Sequence, residues 1–313
     1  MSLQQKLPKG KTGGYLALSI TSIVWGTTWV ASKIGVESIP ALQMAYIRQF
    51  IAGLCFVLFF MLYKKLPFPT RKEFIWLLVM ALLMFVVANG FSTWSLQYIP
   101  TGLSALVGAL YPLSVVIIEM IFFRNRNLSL LTFLGLLLGI TGIGIVFYEN
   151  AFHHRPDGFI FGVILSVTAM LAWSVGTIMI ARNKFSLNPY YATGWQMLIS
   201  SFILCIVAET SQPTVAIQYI PWSAWAVIAY LVVLGSIVSF VAFIYSMKKL
   251  PAALASLYAY INPLIAMVTA AIVLKEKLTI YILWGAIVTL IGVFLVNYSI
   301  KRNREKIIAE PEQ

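Results

Sequence analysis

The chain is a succession of ten apolar runs, each about twenty residues long, joined by links too short to fold by themselves. At 1.5 Å per helical residue, such a run crosses the roughly 30 Å hydrocarbon core of a bilayer. Reading between charges, turns and prolines places spans near 15–35, 41–62, 73–95, 101–123, 128–148, 158–181, 191–208, 222–247, 251–274 and 278–299. Hydrophobic residues make up 60% of the chain and charged residues 10%, against about 25% charged in soluble domains, so a water-soluble enzyme is excluded. The expected fold is an all-α integral membrane protein. The basic stretch Met1–Thr12 and the run from Tyr15 are read as a tail and a retained first helix. Cys55 and Cys205 lie within apolar runs and are expected to act as small hydrophobes.

A net charge of +12 would suit nucleic acid, but the bases are scattered in twos and threes and form no basic face, so no nucleic-acid partner is expected. They mark topology instead. With a cytosolic amino terminus, 17 of the 22 basic residues fall on the cytosolic side and only Arg155, Lys275 and Lys277 outside, with Lys33 and Arg48 inside spans. That asymmetry fits ten spans with both termini cytosolic, since one helix more or fewer would invert everything downstream.

The sequence also repeats itself. Leu96–Leu113 matches Met247–Leu264 at an offset of 151, pairing Pro100 with Pro251, Leu103 with Leu254, Leu106 with Leu257 and Pro112 with Pro263. Gly135 meets Gly285, and Trp25 pairs with Trp173 at an offset of 148. Five spans per copy is an odd number, so the second copy enters the membrane from the opposite side and the fold is two inverted five-helix repeats. The expected division is a tail over 1–14, repeats over 15–148 and 158–299, an outer linker over 149–157 and a tail over 300–313. Inverted repeats place a solute site near the midplane and work by alternating access as one half rocks against the other.

Pro112 and Pro263 fall near the centres of matching spans, where each removes a backbone bond and frees a carbonyl near Gly108 or Ala259. Both are expected helix breaks. Polar and aromatic side chains at comparable depth form the candidate substrate-binding set: Trp25, Trp29, Arg48, Asn89, Trp94, Tyr111, Trp173, Ser236, Tyr258, Tyr260 and Asn262, with Ser92 and Ser239 nearby. Arg48 lies roughly 10 Å from the outer end of its span, too deep for easy snorkelling, and is expected to pair with a carbonyl, a carboxylate or an anionic substrate group. Lys33 can snorkel. Glu119, the carboxylate deepest in a span, is a candidate for proton coupling or a partner of the basic loop at Arg124 and Arg126. Glycines 135, 139, 142, 144, 285 and 292 mark the last helix of each repeat as scaffold or as the face of a homodimer. His153 and His154 are adjacent and lack a third ligand, so neither metal nor any other cofactor is expected.

Trp25-Gly26-Thr-Thr-Trp29-Val-Ala-Ser-Lys33, Arg48 in the second helix, and Asn262-Pro263-Leu264 leading to Lys275-Glu276-Lys277-Leu278-Thr279 resemble the drug/metabolite transporter superfamily, in its ten-helix EamA-type members. The likeness runs from Tyr15 to Asn297. It implies a permease of the bacterial cytoplasmic (inner) membrane, not an enzyme, with helices 1, 3, 4, 6, 8 and 9 around a central cavity. Its partners would be membrane lipid and a small-molecule substrate, with export of amino acids or related metabolites the leading reading. An exchanger of sugars, nucleotide-sugars or phosphorylated metabolites remains an alternative, as does a membrane-embedded enzyme or a non-transporting scaffold. Arg124-Asn125-Arg126 lacks the acidic turn of the second repeat, and Trp195-Gln196 stands where the second repeat would carry the arginine.

Overall fold

The computed structural model describes residues 11–123, 129–153, 157–182, 187–211, 213–250 and 257–309, and the regular structure there is helical. In chain order the helices are α1 (Lys11–Val36), α2 (Ala41–Tyr63), α3 (Arg71–Ser95), α4 in two pieces (α4a Thr101–Gly108, α4b Tyr111–Phe123), α5 (Leu130–His153), α6 (Phe159–Arg182), α7 (Pro189–Ser211), α8 (Trp222–Lys249), α9 (Tyr258–Val273) and α10 (Ile280–Ala309). By length and composition, eight of them can cross a membrane; α1 and the 16 described residues of α9 are the other two. Serine, threonine, glycine and tryptophan dilute the apolar run of α1. α5 and α10 run past their apolar segments, so residues 149–153 and 300–309, expected as linker and tail, continue the helices.

Prolines and capping side chains set the helix starts. Pro40, Pro100 and Pro221 stand in extended backbone just before α2, α4a and α8. A reciprocal Thr70–Glu73 capping box opens α3. The helix is interrupted just before Pro112: Ala109 and Leu110 close a tight turn, and α4b restarts at Tyr111 with Pro112 in its first turn, where a missing N–H costs least. The break expected at Pro263 is absent. α9 runs continuously through that residue from its start at Tyr258, the helix carrying the loss of the Pro263 bond to Ala259 without interruption.

The sequence gives no sign of two wide π-helical stretches, Ala81–Phe91 within α3 and Leu231–Val238 within α8. Their starts are 150 residues apart, between the offsets of 148 and 151 that relate the copies, so they occupy equivalent places in the two copies.

Packing obeys the same exchange. α1 lies against α8 and α9, and its mate α6 lies against α3 and α4; α2 packs on α7, and α5 on α10. Swapping the repeats maps this set onto itself, as a two-fold relation between the copies requires. The two walls around the central space are therefore not the two repeats, because each repeat lends its first helix to the other. Glycine makes the closest crossings: a Cβ on Gly142 would sit 2.6 Å from the carbonyl oxygen of Gly285, and one on Gly135 would sit 2.7 Å from that of Gly292. That face of α5 and α10 is consumed inside the chain.

Candidate functional site

A cavity of about 190 Å³ lies between the walls, with α1, α3, α4, α6, α8 and α9 around it and Arg48 of α2 at its edge. Its lining begins at Trp25 on α1, at Ala88 on α3 and at Ser104 on α4. By register these positions run from the midplane toward the membrane face remote from the amino terminus. Towards the other face, Tyr258 and Ala259 pack into a buried cluster with Leu18 and Leu250, flanked by Tyr15 and Phe243.

Of the residues singled out in the sequence, Trp25, Trp29, Arg48, Asn89, Tyr111, Trp173, Tyr258, Asn262 and Pro263 line the cavity. Aromatic rings make its floor. Trp25 meets Tyr258 edge-on with centroids 5.3 Å apart and Phe240 at 5.2 Å, while Tyr111 and Tyr258 stack at 6.5 Å. Trp25 is fixed by a 3.1 Å hydrogen bond from its Nε1 to the carbonyl of Gly235, within the wide turns of α8. At the equivalent place in α3, the carbonyl of Phe85 accepts from Gln49 Nε2 at 3.2 Å. Both π-helical stretches thus offer a backbone oxygen to a side chain beside the cavity, a use found at functional sites elsewhere.

Arg48 is buried at 7% exposure and supplies the only charged side chain among the described residues that line the cavity. Its Nη2 donates to Asn89 Oδ1 at 2.9 Å, and its Nε is buried with no partner among the described residues. The second repeat carries Gln196 and Ser239 at the matching positions, so the charge sits on one side only. On the opposite wall, Trp29 Nε1 donates to Asn262 Oδ1 at 3.0 Å. Gly26 permits the approach that this bond needs, because a Cβ there would lie 2.5 Å from Ile265 Cγ2.

Three candidates face elsewhere. Trp94 packs edge-on against Phe161 at 5.3 Å, outside the cavity lining. Ser236 lies one residue round the helix from the lining Gly235 and is buried away from the cavity. Tyr260 turns to α10, donating to the Val293 carbonyl at 3.1 Å and accepting from Asn297. Pro112 lies behind Tyr111, also outside the lining. Glu119 is remote from the cavity and 3.9 Å from Arg182, both side chains being well exposed. Arg124, Arg126 and His154 lie outside the described residues. Lys33, expected to snorkel, instead donates to the Leu96 carbonyl at 2.5 Å, where its charge complements the carboxyl end of α3.

Thr28, Ser32, Thr93, Ser104, Ser166, Met170 and Phe240 line the cavity without having been singled out. Thr28 and Ser32 were readable, since with Trp25 and Trp29 they occupy one helical face. Ser104 bridges Ser95 at 3.0 Å and Ser166 at 3.3 Å, joining α3, α4 and α6 through hydroxyls that no periodicity announces. At the rim remote from the amino terminus, Glu276 accepts from Thr101 N at 2.9 Å and Gly102 N at 3.3 Å, capping α4a from the loop after α9.

Comparison with known proteins places these features in a wider set. The model of the EamA-like transporter family matches residues 12–148 and again 160–298. Transporter YoaV of Bacillus subtilis is 23% identical over 92% of this chain and 98% of its own length. The inner membrane transporter YedA of Escherichia coli K12 is 29% identical over 80% of this chain and 79% of its own. Transporter YvbV of Bacillus subtilis is 26% identical over 99% of each. A solved crystal structure superposes with a TM-score of 0.64 at 15% identity, covering 93% of this chain and 98% of that one, a likeness of fold.

Proposed function

Because the chain belongs to the EamA-like transporter family and so serves transport across a membrane, we propose that it is a secondary carrier of amino acids or related small metabolites, working by alternating access as an exporter. The cavity carries this reading. Helices of both repeats surround it, aromatic rings form its floor, and one buried guanidinium stands at its edge. Such a space suits a solute with an apolar body and one polar end. At about 190 Å³ it is smaller than the roughly 300 Å³ and upward of pockets for drug-sized ligands, which favours metabolites over nucleotide-sugars. A phosphorylated solute would call for several cavity cations, and Arg48 is alone among the described lining residues.

The charge asymmetry of the links supports a cytosolic position for both termini in a bacterial inner membrane. The cluster of Tyr15, Leu18, Phe243 and Leu250 then closes the cytosolic side, and transport requires those contacts to part as the outer rim closes. Counterflow in liposomes, with amino acids, nucleosides and sugars offered in turn to the purified protein, tests the proposal. Trapped amino acid should drive uptake of labelled amino acid, and Asn262→Ala or Tyr111→Ala should lower the rate without loss of folding. Counterflow driven by sugars or nucleosides alone would overturn the substrate class.

A further inference from the structure

Arg48 can only donate hydrogen bonds, so the side-chain oxygen of Asn89 must face it. Gln49 reinforces that orientation. Its Nε2 donates to the Phe85 carbonyl at 3.2 Å, an acceptor that fixes the amide, and to Asn89 Oδ1 at 3.0 Å. Its own oxygen accepts from the Ser200 hydroxyl, and Gln49 and Ser200 are both fully buried. Asn89 Oδ1 thus receives two donors, and its Nδ2 is turned away from both. Among the described residues that Nδ2 meets no acceptor. Beside it, Arg48 Nε is buried and unpartnered, and no carboxylate lines the cavity among the described residues. A buried cation without a counter-charge is costly, and an anion entering the cavity relieves that cost.

We infer that Arg48 and Asn89 form a subsite for one carboxylate, with Gln49 the positioning residue that keeps Asn89 turned as a donor. The solutes are then monocarboxylates with an apolar or aromatic body, with or without an amino group. An amino group is dispensable because the described lining offers no carboxylate for an ammonium, only aromatic rings, hydroxyls and two amide oxygens, those of Asn89 and Asn262, that already accept from Arg48, Gln49 and Trp29. One guanidinium and one amide match a single carboxylate, whereas a phosphate dianion would leave charge unmatched. The inference rests on the carrier reading in taking the bound molecule to be cargo.

Four probes of one shape separate the possibilities: 3-phenylpropionate, phenylalanine, phenylalanine methyl ester and 3-phenyl-1-propanol. Binding to the full-length purified protein is read by intrinsic tryptophan fluorescence, since Trp25, Trp29 and Trp173 line the cavity. The two carboxylates should bind within about tenfold of each other and at least about tenfold tighter than the ester and the alcohol, as expected for a charge-assisted hydrogen bond. Arg48→Gln should weaken 3-phenylpropionate about 10- to 100-fold while leaving 3-phenyl-1-propanol unchanged, which also shows that the variant is folded. Gln49→Met should lower the anion-to-alcohol affinity ratio about tenfold; a purely structural role would weaken both probes alike. Equal affinities across the four probes, an unchanged ratio in Arg48→Gln, or no quenching by any probe would overturn the subsite. Selective, Arg48-dependent binding without counterflow of 3-phenylpropionate in liposomes would uphold the subsite and overturn the carrier reading.

Discussion

Gly26→Ala tests how closely α1 and α9 must approach for the cavity to exist. The added Cβ would lie 2.5 Å from Ile265 Cγ2, 2.6 Å from Ile265 Cβ and 3.2 Å from the Asn262 carbonyl oxygen. Carbon atoms rest at about 3.5–4.0 Å, so the first contact falls short by about an ångström and the helices must move apart by a comparable amount. Overpacking of that kind costs about 1–3 kcal/mol. The 3.0 Å bond from Trp29 to Asn262, one turn away, stretches as well and adds about 0.5–1.5 kcal/mol. Against this, alanine is favoured over glycine in a helix by about 1 kcal/mol. The net expectation is a destabilisation of about 0.5–3.5 kcal/mol, read as a lower midpoint of thermal unfolding in detergent, together with impaired counterflow. Rescue should be graded. Ile265→Ala retains the Cβ that clashes and restores only part of the stability, whereas Ile265→Gly removes both offending carbons. A Gly26→Ala protein that melts at or above the wild-type temperature, with undisturbed tryptophan fluorescence, would refute the close α1–α9 contact.

Glu276→Ala exposes the amides of Thr101 and Gly102 at the start of α4a and should cost about 0.5–2 kcal/mol; faster hydrogen exchange confined to those amides is the check, and unchanged protection would show that the cap is not formed. Tyr260→Phe should lower stability by about 0.5–1.5 kcal/mol through its lost contacts to α10 while leaving transport kinetics intact. A changed KM would place Tyr260 at the solute after all. For Glu119→Gln, the exposed pairing with Arg182 predicts an unaltered pH dependence of flux, and a flattened pH profile would make the carboxylate a coupling group.

Depth was legible in the sequence. The spans, the break at Pro112, the placing of glycines in the last helix of each repeat and most of the aromatic and polar inventory of the cavity follow from hydropathy and from matched positions in the two copies. Those quantities vary along the chain, and the bilayer sorts residues along that same axis.

Facing was decided by tertiary structure. Trp94, Ser236 and Tyr260 have the same composition and depth as the residues that line the cavity, yet they turn to Phe161, into the packing of α8, and to α10. The exchange of first helices between repeats, the wide turns of α3 and α8, and the orientation of Asn89 are equally silent in the sequence. In water, an amphipathic stripe tells a helix which side to bury. Within a bilayer, lipid tails and protein interior are both apolar, so rotation about the helix axis is set by close packing and a few hydrogen bonds, which exist only once the helices have met.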